Sequence, residues 1–238
     1  MRIIKPSYEV MYTYLNDPEV VRAIYRHIEK AARVCYKSET SMTDESSEKI
    51  IKNLILHGHE AMLEHAYLTV KFIVDRGVSH ELVRHRLASF AQESTRYCNY
   101  SKDKFGNEIT FIKPTYIKEE SPSYRYWRHT MRRCETTYFA MLNDGLKPEE
   151  ARCVLPNSLK TEVVVTANMR EWRHILKLRA AGTTGKPHPQ MLEVMVPLLN
   201  ELRLKLPVLF GDILPLDGVV TETNADGKAV AGRYPIAN

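Results

Sequence analysis

The sequence predicts an α+β chain. Three observations lead there. Several segments set apolar residues at helical spacing. Two runs, AYLTVKFIV at 66–74 and TEVVVT at 161–166, have the β-branched and aromatic character of strands. None of the ten glycines stands two residues from another, so the chain has no Gly-x-Gly-x-x-Gly turn and is non-Rossmann; a Walker loop is missing too.

The elements follow in order. Pro18 to about Cys35 sets Val21, Ile24, Ile28, Ala31 and Cys35 on one stripe, with Pro18 in a first turn. A second helix, about Glu45 to His57, turns Ile50, Ile51, Leu54 and Ile55 inward, and Gly58 stops it. The strand at 66–74 ends in a turn, Asp75-Arg76-Gly77. Ser79 is expected to cap a short helix from His80 to about Leu87, on which Glu81 and His85 pair. A turn at Lys104–Asn107 precedes an extended run, Ile109–Ile112. A long helix spans about Pro122 to Asn143 and ends at Gly145, with Trp127, Met131, Cys134 and Tyr138 inward and Arg125, Arg128, His129, Arg132 and Arg133 outward. Pro148 opens a short helix that Pro156 ends. After the strand at 161–166, Asn168 and Glu171 form a capping-box pattern for a helix running to Ala181. Met191 to Leu206 is the most apolar helix and contains Pro197. Residues 214–238 are a hairpin, turning at Asn224–Gly227, or a loose tail of a single domain spanning 1–238.

Composition narrows the function classes. The 238 residues are 44% hydrophobic and 26% charged, enough for a sizeable core. A net charge of +5 suits anionic small molecules as well as nucleic acid. No apolar run approaches the ~18 residues of a membrane span, and MRIIKPSYEV lacks the apolar core of a signal peptide. Cys35, Cys98, Cys134 and Cys153 are widely spaced and read as reduced thiols, so a cytoplasmic location is expected.

The chemistry concentrates between Glu81 and Tyr97, ELVRHRLASFAQESTRY. Arg84, His85 and Arg86 stand in a row, and Ser94-Thr95-Arg96-Tyr97 follows. Guanidiniums recognise phosphate and carboxylate through a planar fork of donors, and hydroxyls add neutral donors, so the stretch reads as a pocket for a nucleotide. No metal is expected: Leu63 stands where His-Glu-x-x-His needs its second histidine, and no cysteine pair supports a zinc site. Ser94 lacks a Gly-x-Ser-x-Gly elbow and reads as an anion ligand, not a nucleophile.

Arg-His-Arg, seven residues, then Ser arises by chance in about one chain of this length in a thousand. The pattern resembles the signature of the flavin-dependent thymidylate synthases. HEAMLEH at 59–65, ARCVLP at 151–156 and TANMREWRHILKLR at 166–179 are similar to further segments of that family, in the same order. The resemblance implies an antiparallel or mixed sheet with flanking helices. It implies conversion of dUMP to dTMP with FAD, NADPH and 5,10-methylenetetrahydrofolate, at sites shared between subunits of a homotetramer, with neither nucleic acid nor membrane as partner. FAD contacts would come from His59, Ala61, Arg84, His85, Arg86, Gln92, Asn168, Met169, Arg170, His174 and His188. Contacts to dUMP would come from Glu81, Leu82, Val83, Arg84, Gln92, Glu93, Ser94, Thr95, Arg96, Arg152 and Arg179. Arg179 corresponds to the catalytic arginine that polarises the uracil. The chain departs from the family's habit at Glu81, where Gln is common, at Ala91-Gln92 in place of Asn-Glu, and at Thr95, Ala61 and His174. The rival reading is a non-catalytic, basic nucleotide- or RNA-binding module, supported by the α-helical arginine face and 13 tyrosines.

Overall fold

A computed structural model of the chain describes residues 1–11, 13–43, 45–102, 106–216, 222–223 and 229–230. Its centre is a four-stranded antiparallel sheet. The strands are β2 (Ser7–Val10), β3 (Tyr67–Asp75), β4 (Ala88–Gln92) and β6 (Lys160–Asn168), in the order β2-β3-β6-β4. A parallel pair, β1 (Arg2–Ile4) with β5 (Thr110–Ile112), forms a second small sheet, tied to the chain just before β6 by a Phe111–Leu159 bridge. The expected turn at Lys104–Asn107, ahead of β5, falls partly outside the described residues. The two strand-like runs of the sequence are the two central strands. β3 is shifted slightly along its apolar run, and β6 extends past its run at both ends. β2 and β4 were not legible, because both are short and mixed in polarity.

Alternation decides which face of the sheet is buried. Leu68, Val70, Phe72 and Val74 of β3 and Val163, Val165 and Ala167 of β6 point into the main core. Against them pack α6 (Met169–Arg179), through Trp172, Ile175 and Leu176, and α7 (Pro189–Lys205), which is buried on nearly every side from Gln190 to Leu199. The Trp172 indole donates to the Leu68 carbonyl at 2.8 Å, pinning α6 to β3. α7 continues through Pro197 without a break. α1 (Pro18–Val34) and α2 (Ser46–Leu56) close the same core through Tyr25, Ile28 and Ile51. The buried stripe of α1 is Tyr25, Ile28, Glu29, Ala32 and Arg33, and Cys35 is exposed. That is a rotation from the expected stripe, stabilised by the Arg33–Glu29 pair at 2.7 Å.

A smaller apolar cluster joins Tyr100, Ile109, Phe111, Met131, Tyr138, Ala151 and Leu159. It seats α4 (Pro122–Asn143) and α5 (Pro148–Ala151). α4 has the bounds the sequence predicts, and Arg125, Arg128, His129, Arg132 and Arg133 are exposed on it. A short helix, α8 (Pro207–Phe210), follows α7. In the tail, β7 (Glu222–Thr223) pairs with β8 (Ala229–Val230). The turn expected there, Asn224–Gly227, lies outside the described residues.

One expected element differs. Asp75-Arg76-Gly77 is not a separate turn but the start of α3 (Arg76–Leu82). Asp75 is the cap, its Oδ1 accepting from Val78 N at 2.9 Å, and Ser79 is fully buried inside the helix. α3 therefore ends before Arg84, and Glu81 does not pair with His85 as expected but with Arg179 at 3.0 Å. An aspartate at the end of a strand caps a helix as well as a serine does, and the sequence offered both.

The antiparallel order positions the site. β3 and β4 both run against β6. The segment entering β3 (60–65), the segment entering β4 (84–87) and the start of α6 after β6 therefore meet at one end of the sheet. Tyr67 lies opposite Asn168, and Ala88 opposite Ala167.

Candidate active site

At that end, Asn168 Oδ1 accepts from Glu171 N at 2.8 Å and starts α6 beside the Arg84–Leu87 loop. Arg84 and Arg86 are exposed and have no side-chain partner among the described residues. Guanidiniums so placed can each donate a planar pair of hydrogen bonds to a phosphate or carboxylate. His85 between them is turned inward and only 6% exposed. Its Nε2 accepts from Arg179 Nε at 3.2 Å, and its Nδ1 lies 3.8 Å from Glu171 Oε1. Burial first, then the charges of Arg179 and His174, push the His85 pKa down to about 4, so the imidazole is neutral at neutral pH. His174 is exposed, with its ring centroid 6.1 Å from that of His85. Arg170 pairs with Glu64 at 2.6 Å, linking α6 to the His59–His65 segment, where His59 and Ala61 are exposed.

Leu82 and Met169 are core residues and can meet a ligand only through backbone atoms; Val83 is exposed. His188 caps α7, its Nδ1 accepting from Gln190 N at 3.3 Å, and its ring meets Tyr116 edge-on at 5.9 Å.

The other expected ligand contacts lie past the far end of β4. The Gln92 amide donates to Ser79 Oγ at 2.9 Å and Thr161 Oγ1 at 3.2 Å. Both Glu93 carboxylate oxygens are engaged, by Tyr100 at 3.0 Å and Lys160 at 2.9 Å. These two side chains hold the strand end in place. The turn beyond them carries the expected anion donors. Ser94 Oγ accepts from Arg96 N at 3.2 Å, and buried Thr95 accepts from Arg152 Nη1 at 3.1 Å. Arg96 pairs with exposed Glu149 at 3.2 Å and lies over the Tyr97 ring. The five residues of β4 set the Arg84–Arg86 loop and this turn roughly 14 Å apart.

Glu171 is the residue of this site that the sequence did not reveal. It reads as a capping-box glutamate, whereas its side chain is buried against His85. Only the return of α6 across the RHR loop gives it that neighbour.

An antiparallel α+β fold with unengaged arginines, a neutral buried histidine and a cationic hydroxyl-rich turn is of the class that offers an anionic ligand side-chain donors in place of a glycine-rich loop. Comparison with known proteins narrows this. Residues 20–208 match the family described as thymidylate synthase complementing protein. The chain is 31% identical over 226 residues to a flavin-dependent thymidylate synthase of Geobacter sulfurreducens, covering 91% of this chain and 90% of that protein. It is 39% identical over 164 residues to the enzyme of the same name from Thermococcus kodakarensis, covering 68% and 64%. In fold it is similar to the UMP/dUMP methylase PolB from Streptomyces cacaoi, with a TM-score of 0.70 at 22% identity over 89% of this chain and 96% of that one. The chain belongs to the flavin-dependent thymidylate synthase family.

Proposed function

We propose that the chain methylates dUMP to dTMP as a flavin-dependent thymidylate synthase, with FAD as the flavin and NADPH and 5,10-methylenetetrahydrofolate as co-substrates. The observation that carries the reading is the convergence at one sheet end of the unpaired Arg84 and Arg86, the α6 start at Asn168–Arg170, and Arg179.

The donor set fits FAD. Arg84 and Arg86 offer charge-assisted hydrogen bonds to a pyrophosphate, and the exposed ring of His174 lies beside His85 between them; His188 stands at the other end of the sheet, near Asp75. A bound flavin supplies the hydride chemistry. The residues of this chain do the rest. Arg84 and Arg86 hold the cofactor's phosphates. Ser94, Arg96 and Arg152 hold the nucleotide phosphate. Arg179 presents N–H groups to the O2/N3 edge of the uracil, where negative charge develops as C6 is attacked.

The Arg84–Arg86 loop and the Ser94–Tyr97 turn lie at opposite ends of β4; in a homotetramer with shared sites, neighbouring copies would bring the two sets of donors together around one ligand pair.

The test is dTMP formation from dUMP by purified protein with FAD, NADPH and methylenetetrahydrofolate, alongside the flavin absorbance of the preparation. A yellow protein that makes dTMP is expected. A colourless protein that resists FAD and makes none would instead fit a nucleotide-binding module.

A further inference from the structure

Arg179 is held from two sides. Its Nη1 donates to Glu81 Oε2 at 3.0 Å, and its Nε donates to His85 Nε2 at 3.2 Å. A guanidinium has donors only. The His85 Nε2 must therefore offer a lone pair, and the single proton of the neutral ring must sit on Nδ1. That proton faces the Glu171 carboxylate, 3.8 Å away and buried with it. The other tautomer would set an Nε2–H against the Arg179 N–H and leave the Nδ1 lone pair facing a carboxylate. Both contacts disfavour it.

The charged and titratable groups facing His85 are Arg179, His174 and Glu171 from α6, with Glu81 of α3 beyond Arg179. Burial first, with Arg179 and His174 adding to it, keeps the ring neutral, which the Arg179 contact requires. Two of the five guanidinium N–H groups are thereby engaged. The rest remain for a ligand on a side chain that is 24% exposed.

We propose that His85 and Glu171 are positioning residues for the reaction: Glu171 selects the Nδ1–H tautomer of His85, and His85 in that form holds the Arg179 guanidinium in the plane from which it meets the pyrimidine. This rests on the reading of Arg179 as the group that faces the uracil. It assigns His85 a role through Arg179 and gives Glu171 a function.

The experiment compares His85→Ala, His85→Gln and Glu171→Leu with the unaltered protein. It measures kcat, the KM for dUMP, FAD affinity and thermal stability, together with the His85 tautomer by histidine-selective 15N NMR of the ligand-free protein. The unaltered protein should show the Nδ1–H form. His85→Ala should lower kcat by about 100-fold, the scale of a misplaced catalytic group, with FAD affinity unchanged. In His85→Gln the introduced side-chain carbonyl can accept the same Arg179 N–H, so this variant should recover about tenfold of that loss. Glu171→Leu should shift His85 toward the Nε2–H form and lower kcat without loss of FAD. An Nε2–H tautomer in the unaltered protein overturns the proposal, whether or not any variant folds. So does a fall in FAD affinity that accounts for the lost turnover in His85→Ala, or a folded His85→Gln no more active than His85→Ala. If the unaltered protein makes no dTMP, the functional reading fails, and the tautomer and its response to Glu171→Leu still decide the arrangement.

Discussion

Single side chains at this sheet end divide into those free to bind and those already engaged. Arg84 and Arg86 have no side-chain partner among the described residues, so Arg84→Ala and Arg86→Ala should each weaken FAD retention by about 1.5–3 kcal/mol, the worth of a charged hydrogen bond. Equilibrium titration of the apo protein checks this. Another residue carries a pH signature. Glu193 is buried in α7 with Oε2 lacking a hydrogen bond. Burial raises its pKa to about 7; Lys5 and Lys113 oppose this and Asp75 adds to it. Its folded-state pKa lies above the unfolded value, so between about pH 4.5 and 7 the folded chain holds a proton that the unfolded chain has lost. Stability therefore falls as pH rises through that window. Glu193→Gln should remove the fall, making the variant more stable than the parent by roughly 2–3 kcal/mol at pH 8 and nearly equal to it at pH 4.5. Urea melts at the two pH values test it. His85 has the opposite sign. Its depressed pKa means that the folded chain binds fewer protons between about pH 4 and 6.5, so its contribution is complete above 6.5 and is lost as pH falls toward 4.

At the scale of elements, α3 depends on Asp75. One carboxylate oxygen caps the helix, and the other accepts from the buried Gln190 amide of α7 at 2.6 Å. Asp75→Ala should cost about 1 kcal/mol for the cap and a further ~1–3 kcal/mol for an unpaired buried amide. Gly77 shares the constraint, because a Cβ there would meet Asp75 Oδ1 at 2.8 Å. Gly77→Ala should thus destabilise the chain although helix propensity favours Ala. Denaturant unfolding of both variants measures it, and a stabilised Gly77→Ala would contradict the tight cap. The same cap places Glu81 and the RHR loop, so Asp75→Ala should also lower turnover.

At the scale of the whole molecule, the site residues occupy two ends of one sheet. An Arg152→Ala variant and an Arg179→Ala variant, each inactive, should regain part of the activity when mixed through refolding, since a mixed oligomer can build some sites from two intact ends. Activity that stays absent from the mixture, with both chains shown to co-assemble, would place each site within one chain. A cleft lined by Arg33, Ser46 and Lys49 of α1 and α2, and another lined by Glu19, Arg26 and Lys30 of α1, hold none of the expected contacts.

Local chemistry wrote much of this protein into its sequence. The RHR-x7-S pattern and its three companion segments identify the family, because close nucleotide recognition demands particular side chains at fixed spacing. The long α4 is legible to the residue because Ser121, Pro122 and Gly145 punctuate it. What escaped depends on distance along the chain. β2 and β4 exist because longer strands accept them as edges, and their residues carry little signal alone. Glu81 could pair locally with His85 and instead pairs with Arg179, 98 residues away. Glu171 looks like a cap and is a buried neighbour of His85. The residue types of the site were readable because chemistry selects them one by one. Which of them face a ligand and which hold one another was decided only when an antiparallel sheet brought the starts of β3 and β4 against the end of β6.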